Sequence, residues 1–189
     1  MASGTGQFEA DREALLVELV DGDGFAVGSC SVARAHHRPG RLHRAFSVLL
    51  YDPAGRVLLQ RRAAVKTRFP GLWSNACCGH PAPGQDVVGA ATIRLKEELG
   101  TISDTLTEVG VYRYRALDPL ESQEENEWDH VLVGTLSDAV LQPDPAEVSE
   151  CAWVDPAELH AALTVEPDRY TPWLLGVLEV ARPEFSRNG

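Results

Sequence analysis

The chain has 189 residues, a formal charge of −11, 44% hydrophobic residues and 24% charged ones. That length favours one core over two, the composition is that of an ordinary globular protein, and the acidic balance argues against nucleic-acid binding, which draws on a basic face. No apolar run approaches the roughly 18 residues of a membrane span, and the small, polar start lacks the basic and apolar stretches of a signal peptide, so residues 1–10 read as a flexible tail before a single domain over 11–189.

Residues 14–20 read as a strand, Asp21 to Gly24 as a turn, and Phe25 to Cys30 as the returning strand. A polar loop with Pro and Gly spans His36 to Arg41. Arg44 to Asp52 is a buried strand, Pro53 to Gly55 a turn, and Arg56 to Arg61 its partner. Val65 to Gly71 is a basic loop. Lys66, one of only two lysines, lies there close to Arg61, Arg62 and Arg68, which makes a candidate anion site or a solvated loop.

Asp86 to Leu99 carries a helical apolar face of Val87, Ala90, Ala91, Leu95 and Leu99, with Gly100 at the stop. Its start follows a Gly-bearing turn, where a helix N-terminus can hold phosphate. Glu97 and Glu98 occupy its last turn, where the helix dipole disfavours negative charge. Glu97 reads as a solvated helix end, and Glu98 as a carboxylate able to hold a hard cation. Strands follow at Thr107 to Ala116, Trp128 to Leu136 and Ala152 to Val154. Asp155, Pro156 and Glu158 form a helix-start pattern, and Tyr170 to Ala181 is a closing helix. The mixture lacks regular βαβ alternation, so the fold class is α+β, with mixed or antiparallel sheets packed between helices.

The most informative segment is Ser74-Asn75-Ala76-Cys77-Cys78-Gly79-His80. It sets a soft nucleophile, Cys78, two residues from a metal-ligand side chain, His80, across a glycine that permits a tight turn. His36 and His43 lie upstream. Glu125 and Glu127, two apart on a strand, face one side. Imidazole and carboxylate together suit zinc, manganese, iron or magnesium in differing degree. Spacing alone does not assemble these residues, and composition does not exclude His37, His130 or His160. Adjacent Cys77 and Cys78 make a poor disulfide framework, so the cysteines point to a reducing, cytoplasmic setting, with Cys77 a structural thiol and Cys30 and Cys151 small core residues.

Together these residues resemble the type I isopentenyl-diphosphate isomerases, a branch of the Nudix superfamily. The likeness spans about residues 14–182. It is carried by Arg41-Leu42-His43-Arg44-Ala45-Phe46-Ser47, by Gln60-Arg61-Arg62-Ala63 and by Pro70 to Pro81 with its Cys-Gly-His. Glu97-Glu98-Leu99-Gly100, Glu125-Asn126-Glu127 and Pro172-Trp173 complete it. The resemblance implies a Nudix-like layered fold and conversion of isopentenyl diphosphate to dimethylallyl diphosphate by protonation and deprotonation, a step of isoprenoid biosynthesis.

It further implies Cys78 and Glu127 as the acid/base pair, Tyr114 as an aid to proton transfer beside Glu127, and Trp173 facing the cation. His36, His43, His80, Glu125 and Glu127 would ligate a divalent metal (Mn2+, Zn2+ or Mg2+). Glu98 would hold Mg2+ with the substrate diphosphate, and Arg62, Lys66 and Arg94 would grip that group. The implied partners are a small prenyl diphosphate, no nucleic acid and no membrane, in a monomer or weak homodimer.

Two departures stand out. Gln85, Ile93 and Arg94 replace the glutamate, arginine and glutamate of a Nudix hydrolase, which disfavours pyrophosphate hydrolysis. Val32 replaces a diphosphate-binding lysine, a loss that Arg34 or Arg38 would have to supply. Val32 leaves open action on another prenyl substrate, with protonation-initiated cyclisation as one outcome. A non-catalytic metal-binding domain is the alternative from another class.

Overall fold

The computed structural model describes residues 12–118, 122–137 and 140–185. The tail expected over 1–10 lies outside them. The described elements in chain order are β1 (Leu16–Val20), β2 (Ala26–Ser31), α1 (Val32–His36), β3 (His43–Tyr51), β4 (Val57–Arg62), β5 (Trp73–Asn75), β6 (Cys77–Gly79), α2 (Val87–Leu99), β7 (Thr105–Leu117), β8 (Glu124–Thr135), β9 (Val148–Val154), α3 (Pro156–Val165), a 3-10 turn (Pro167–Arg169) and α4 (Leu174–Phe185). No described helix is long and apolar enough to cross a membrane.

The sheet is mixed and centred on β3. This strand pairs parallel with β8 over its whole length, antiparallel with β6, and at its ends with β1 and β4. β7 extends the β8 side antiparallel, and β4 carries β5 and β9. The hairpin pattern of the first half therefore gives way to a long-range parallel pairing, which no local turn signal announces.

Both faces of β3 are covered, so it reads as a near-continuous apolar run rather than an alternation. Phe46, Val48 and Leu50 pack with Leu58, Leu95, Leu99 and Leu132 under α2. Leu49 and Tyr51 turn the other way, onto Leu59, Val131, Leu159, Leu174 and Val177 beneath α3 and α4. Leu95 is fully buried, and truncating such a side chain to Ala costs about 2–5 kcal/mol. α2 begins at an Asp86 N-cap that accepts from the Gly89 amide and ends at Gly100 in the left-handed region (φ 65°), as its sequence pattern predicts.

Four expectations need correction. The predicted polar loop starts after His36, which instead ends a short helix, α1. Its five residues are too few for a periodic signal, and packing of Val32 and Ala35 on Val17 and Cys30 holds it. β8 begins at Glu124, four residues before the predicted Trp128, and β9 at Val148 rather than Ala152. α4 starts at Leu174, not Tyr170, because Tyr170 bridges Trp73 and the Thr171 amide donates to the Trp73 carbonyl, which leaves that backbone extended.

Candidate active site

Strand register builds the first part of the site. Across β7, β8 and β3, Tyr114 sits opposite Glu127, and Glu127 opposite His43. Two residues further along β8, Asp129 pairs with Ala45. On the far side of β3, Ser47 sits opposite Cys78 of β6. α1 delivers His36, and the chain leaving β6 delivers His80. Three imidazoles thereby converge, with ring centroids 4.7, 5.0 and 5.1 Å apart.

The glycine between Cys78 and His80 acts differently from the sequence expectation. Gly79 lies within β6 rather than in a tight turn. It is required by space, since a Cβ there would fall 2.8 Å from the Phe46 ring.

The Glu127 Oε1 atom faces all three rings, at 3.0 Å from His80 Nε2, 3.6 Å from His43 Nε2 and 3.8 Å from His36 Nε2. Its Oε2 accepts the Tyr114 hydroxyl at 2.6 Å. Burial opposes ionisation of Glu127, but the three histidines hold its carboxyl well below the usual range. Glu125 Oε2 lies 2.8 Å from His36 Nε2, and the Arg68 guanidinium lies 3.4 Å from Glu125 Oε1.

The arrangement fits a metal cation. His36 Nδ1 donates to the Val32 carbonyl at 2.8 Å, and His43 Nδ1 donates to the Arg41 carbonyl at 2.7 Å. In the neutral rings both Nε2 atoms are then lone-pair acceptors, turned toward an anionic oxygen. His36 Nε2, His43 Nε2 and Glu125 Oε2 are buried and have no hydrogen-bond partner. Acceptors facing acceptors in a buried space require a positive charge between them, and backbone carbonyls that fix the far nitrogen are the usual support of metal-ligating histidines. Ligand atoms of His36, His43, His80 and Glu127 all lie within 4.8 Å of one another. Glu125 stands beside this group, against His36. The other histidines stand apart: His130 pairs with Glu108 at 2.7 Å, and His37 and His160 are exposed.

A cavity of about 130 Å³ opens from this cluster. Cys78, Gly79, His80, Tyr114, Glu125, Glu127 and Trp173 line it, so the thiol and the carboxylate share one enclosure. The Cys78 thiol donates to Asn75 Oδ1 at 3.2 Å and lies 3.6 Å from Ser47 Oγ, which in turn donates to Asp129 at 2.8 Å. Burial, reinforced by the Asp129 charge, pushes the thiol up to about 12, so it holds its proton. The Trp173 indole N–H is pinned to the same Asn75 oxygen at 3.2 Å. Its ring meets Phe69 edge-on at 5.2 Å and Tyr114 at 5.7 Å, while the Arg62 guanidinium lies 5.8 Å from its centroid.

Much of the rest of the cavity lining is charged. Arg62, Lys66 and Arg94 line it together with Glu98, while Arg68 reaches Glu125 of the histidine cluster. Arg94 is paired with Glu98 and lies 3.5 Å from Glu147, Lys66 is paired with Glu147, and Gln60 donates to Glu98 at 3.1 Å. Arg61, grouped with these by sequence, faces outward toward Glu150. α2 presents its last turns to the cavity rather than the start suggested as a phosphate seat, which the Asp86 carboxylate already caps.

Glu97 is half exposed, yet it is ion-paired with Arg12 and Arg94 rather than merely solvated. Val32 lines the cavity, but neither Arg34 nor Arg38 does; Arg12 and Arg68 do. Sequence reasoning assigned no role to Asn75 and Ser47, although both lie inside the quoted motifs. Glu147 and Arg12 carry no local signal at all.

Residues 41–174 match the NUDIX domain family. A Deinococcus radiodurans protein of known crystal structure superposes with a TM-score of 0.69 at 21% identity, covering 88% of this chain and 98% of that one. The MutT protein of Methanosarcina mazei superposes with a TM-score of 0.58 at 17% identity, covering 78% and 96%. Fold and family match thus define a Nudix protein. The isopentenyl-diphosphate Delta-isomerase of Nocardia farcinica is 66% identical over 87% of this chain and 93% of its own length. That of Streptomyces coelicolor is 48% identical over 90% and 85%. The chain belongs to the isopentenyl-diphosphate Delta-isomerase family.

Proposed function

We propose that this enzyme converts isopentenyl diphosphate to dimethylallyl diphosphate, with Cys78 and Glu127 as its proton-transferring pair. The observation that carries this reading is the shared cavity, which sets a protonated thiol and a histidine-held carboxylate among aromatic rings beside a basic, carboxylate-bearing end. One group gives a proton to the terminal methylene, forming a C–H bond. The other takes a proton from the carbon next to the diphosphate-bearing end, and the double bond moves inward with no net gain or loss of protons. In the reverse direction the two roles exchange.

Tyr114 holds Glu127 Oε2 and fixes the direction of that carboxylate. Burial and the Glu127 charge keep the phenol protonated. Trp173 is buried and its indole is anchored, so its face can meet a tertiary cation at about 2 kcal/mol of stabilisation when water is excluded. Asn75 orients the thiol and the indole together.

His36, His43, His80 and Glu127 would hold a divalent metal, Mn2+, Zn2+ or Mg2+, with Glu125 beside them. When bound, it supplies the charge that fixes the Glu127 carboxylate and tunes its proton affinity. Glu98 would hold Mg2+ that arrives with the diphosphate, and Arg62, Lys66 and Arg94 supply charge-assisted contacts to that group.

Residues 11–189 act as one unit, since the cavity draws side chains from Arg12 to Trp173. The unpaired cysteines suit a cytoplasmic enzyme, working as a monomer or weak homodimer. The test is incubation with isopentenyl diphosphate, Mg2+ and Mn2+, followed by NMR. Dimethylallyl diphosphate is expected. No conversion with both metals present would reject the reading, and turnover of a larger prenyl diphosphate instead would assign the Val32 departure to a changed substrate.

A further inference from the structure

The N-terminal turn reaches into the charged end of the cavity. Residues 12–14 form a helical turn ahead of β1, and Arg12 and Glu13 both line the cavity. Each is tied to a different bank. Arg12 pairs with Glu147 at 2.9 Å and with Glu97 at 3.1 Å, on the α2 side. Glu13 accepts from Arg68 at 2.7 Å and from Thr67 at 3.3 Å, on the basic loop. The two side chains thereby tie the α2 side of the lining to the basic loop.

Glu147 is the telling partner. Its side chain is only 2% exposed, and it serves Arg12, Lys66 and Arg94 at once. Three cations thus share one buried carboxylate, with Glu97 and Glu98 as further partners of Arg12 and Arg94, so an anion entering the cavity can take over contacts that Glu147 now divides among them. Glutamate presents two oxygens, whereas a diphosphate presents more oxygens and more charge. A guanidinium matches such a group with parallel N–H donors. Glu13 fixes the far end of the turn through Arg68, so Arg12 is delivered to a defined place.

We propose that Arg12 is a substrate-binding residue, which exchanges Glu147 for a diphosphate oxygen and closes the N-terminal turn over the bound anion. This rests on the isomerase reading above. Arg12 lies outside every motif that carries the family resemblance, and no local pattern marks it.

The test compares wild type, Arg12→Gln and Arg12→Lys in steady-state turnover of isopentenyl diphosphate, and in calorimetric binding of inorganic pyrophosphate with Mg2+. In Arg12→Gln, KM is expected to rise about tenfold and pyrophosphate affinity to fall by a similar factor, with kcat within about twofold of wild type. Arg12→Lys should recover part of the loss, because it keeps the charge but not the parallel donors, while a purely structural role would leave pyrophosphate affinity unchanged in both variants. Arg56→Gln, on the exposed turn between β3 and β4, serves as the unchanged control. Wild-type KM and pyrophosphate affinity in Arg12→Gln would overturn the proposal, as would a fall in kcat alone. If wild type turns over no isopentenyl diphosphate, the isomerase reading fails, and the pyrophosphate arm still decides Arg12: equal affinity in both proteins overturns it.

Discussion

The two ends of the cavity are built on opposite principles. At the histidine end, acceptors confront acceptors: two ring nitrogens with no hydrogen-bond partner and a carboxylate whose Oε1 lies within 3.8 Å of three imidazoles. At the loop end, Lys66, Arg94 and Arg12 are already matched to Glu98, Glu97 and Glu147. The first arrangement is satisfied by a positive charge, either a metal cation at the shared point or, in its place, a proton on His36. The second is neutralised within itself and would take an anion by exchanging partners. Damage at the first end should therefore strike metal content and chemistry, and damage at the second should strike binding.

The largest expected effects are at the proposed acid/base pair. Cys78→Ala and Glu127→Gln should each lower kcat about 10³-fold, with the thermal unfolding midpoint of Cys78→Ala close to wild type; full activity in Cys78→Ala would remove the thiol from the mechanism. His36→Ala should lose most of its bound metal, measured by elemental analysis, and activity should fall with the metal. Retained metal with lost activity would move His36 out of the ligand set.

Trp173→Leu should lower kcat by about thirtyfold, the worth of one desolvated cation–π contact of about 2 kcal/mol, and an unchanged kcat would leave the indole a packing role only. At the other end, Lys66→Ala should raise KM about tenfold with little change in kcat, because it removes one charge-assisted contact. An equal fall in kcat would erase the contrast between the two ends.

A pH dependence sharpens the same contrast. In the metal-free protein, burial disfavours the His36 imidazolium, but the Glu125 charge and the nearness of the Glu125 and Glu127 carboxylates outweigh it and raise the ring to about 9. Loading a metal must displace that proton. Apparent metal affinity at the histidine end should therefore rise about tenfold per pH unit below 9, and level off above it. The sign for stability is the reverse: the imidazolium stabilises the metal-free fold fully below its ordinary value near 6.5, and that contribution is lost as pH rises through about 9. Titration calorimetry across this window reads the first effect, and a flat affinity would show that no proton is displaced.

The residues most legible in the sequence lay in short motifs whose chemistry is local. Cys78, His80 and the Glu125–Glu127 pair were readable because a thiol, an imidazole and alternate carboxylates declare themselves at fixed spacing. The family resemblance named Tyr114 and Trp173, which composition could not. The parallel β3–β8 pairing was not legible, since it depends on tertiary packing across some eighty residues rather than on a turn. That pairing is what sets Glu127 against His43. Helix α1, with five residues, falls below any periodic signal, yet it places His36. Glu147 and Arg12 were invisible for a further reason: each draws its role from partners distant in the chain, and an isolated glutamate or arginine in sequence reads as a solvated surface charge.

In the proposed mechanism one proton enters and one leaves the substrate, both through Cys78 and Glu127. Incubation of isopentenyl diphosphate in heavy water, followed by NMR, tests it most directly. Deuterium is expected in the methyl group formed from the terminal methylene, with loss of that label and of turnover in both Cys78→Ala and Glu127→Gln. Product formed without deuterium in that methyl group, or labelled at the wild-type rate by either variant, would contradict it.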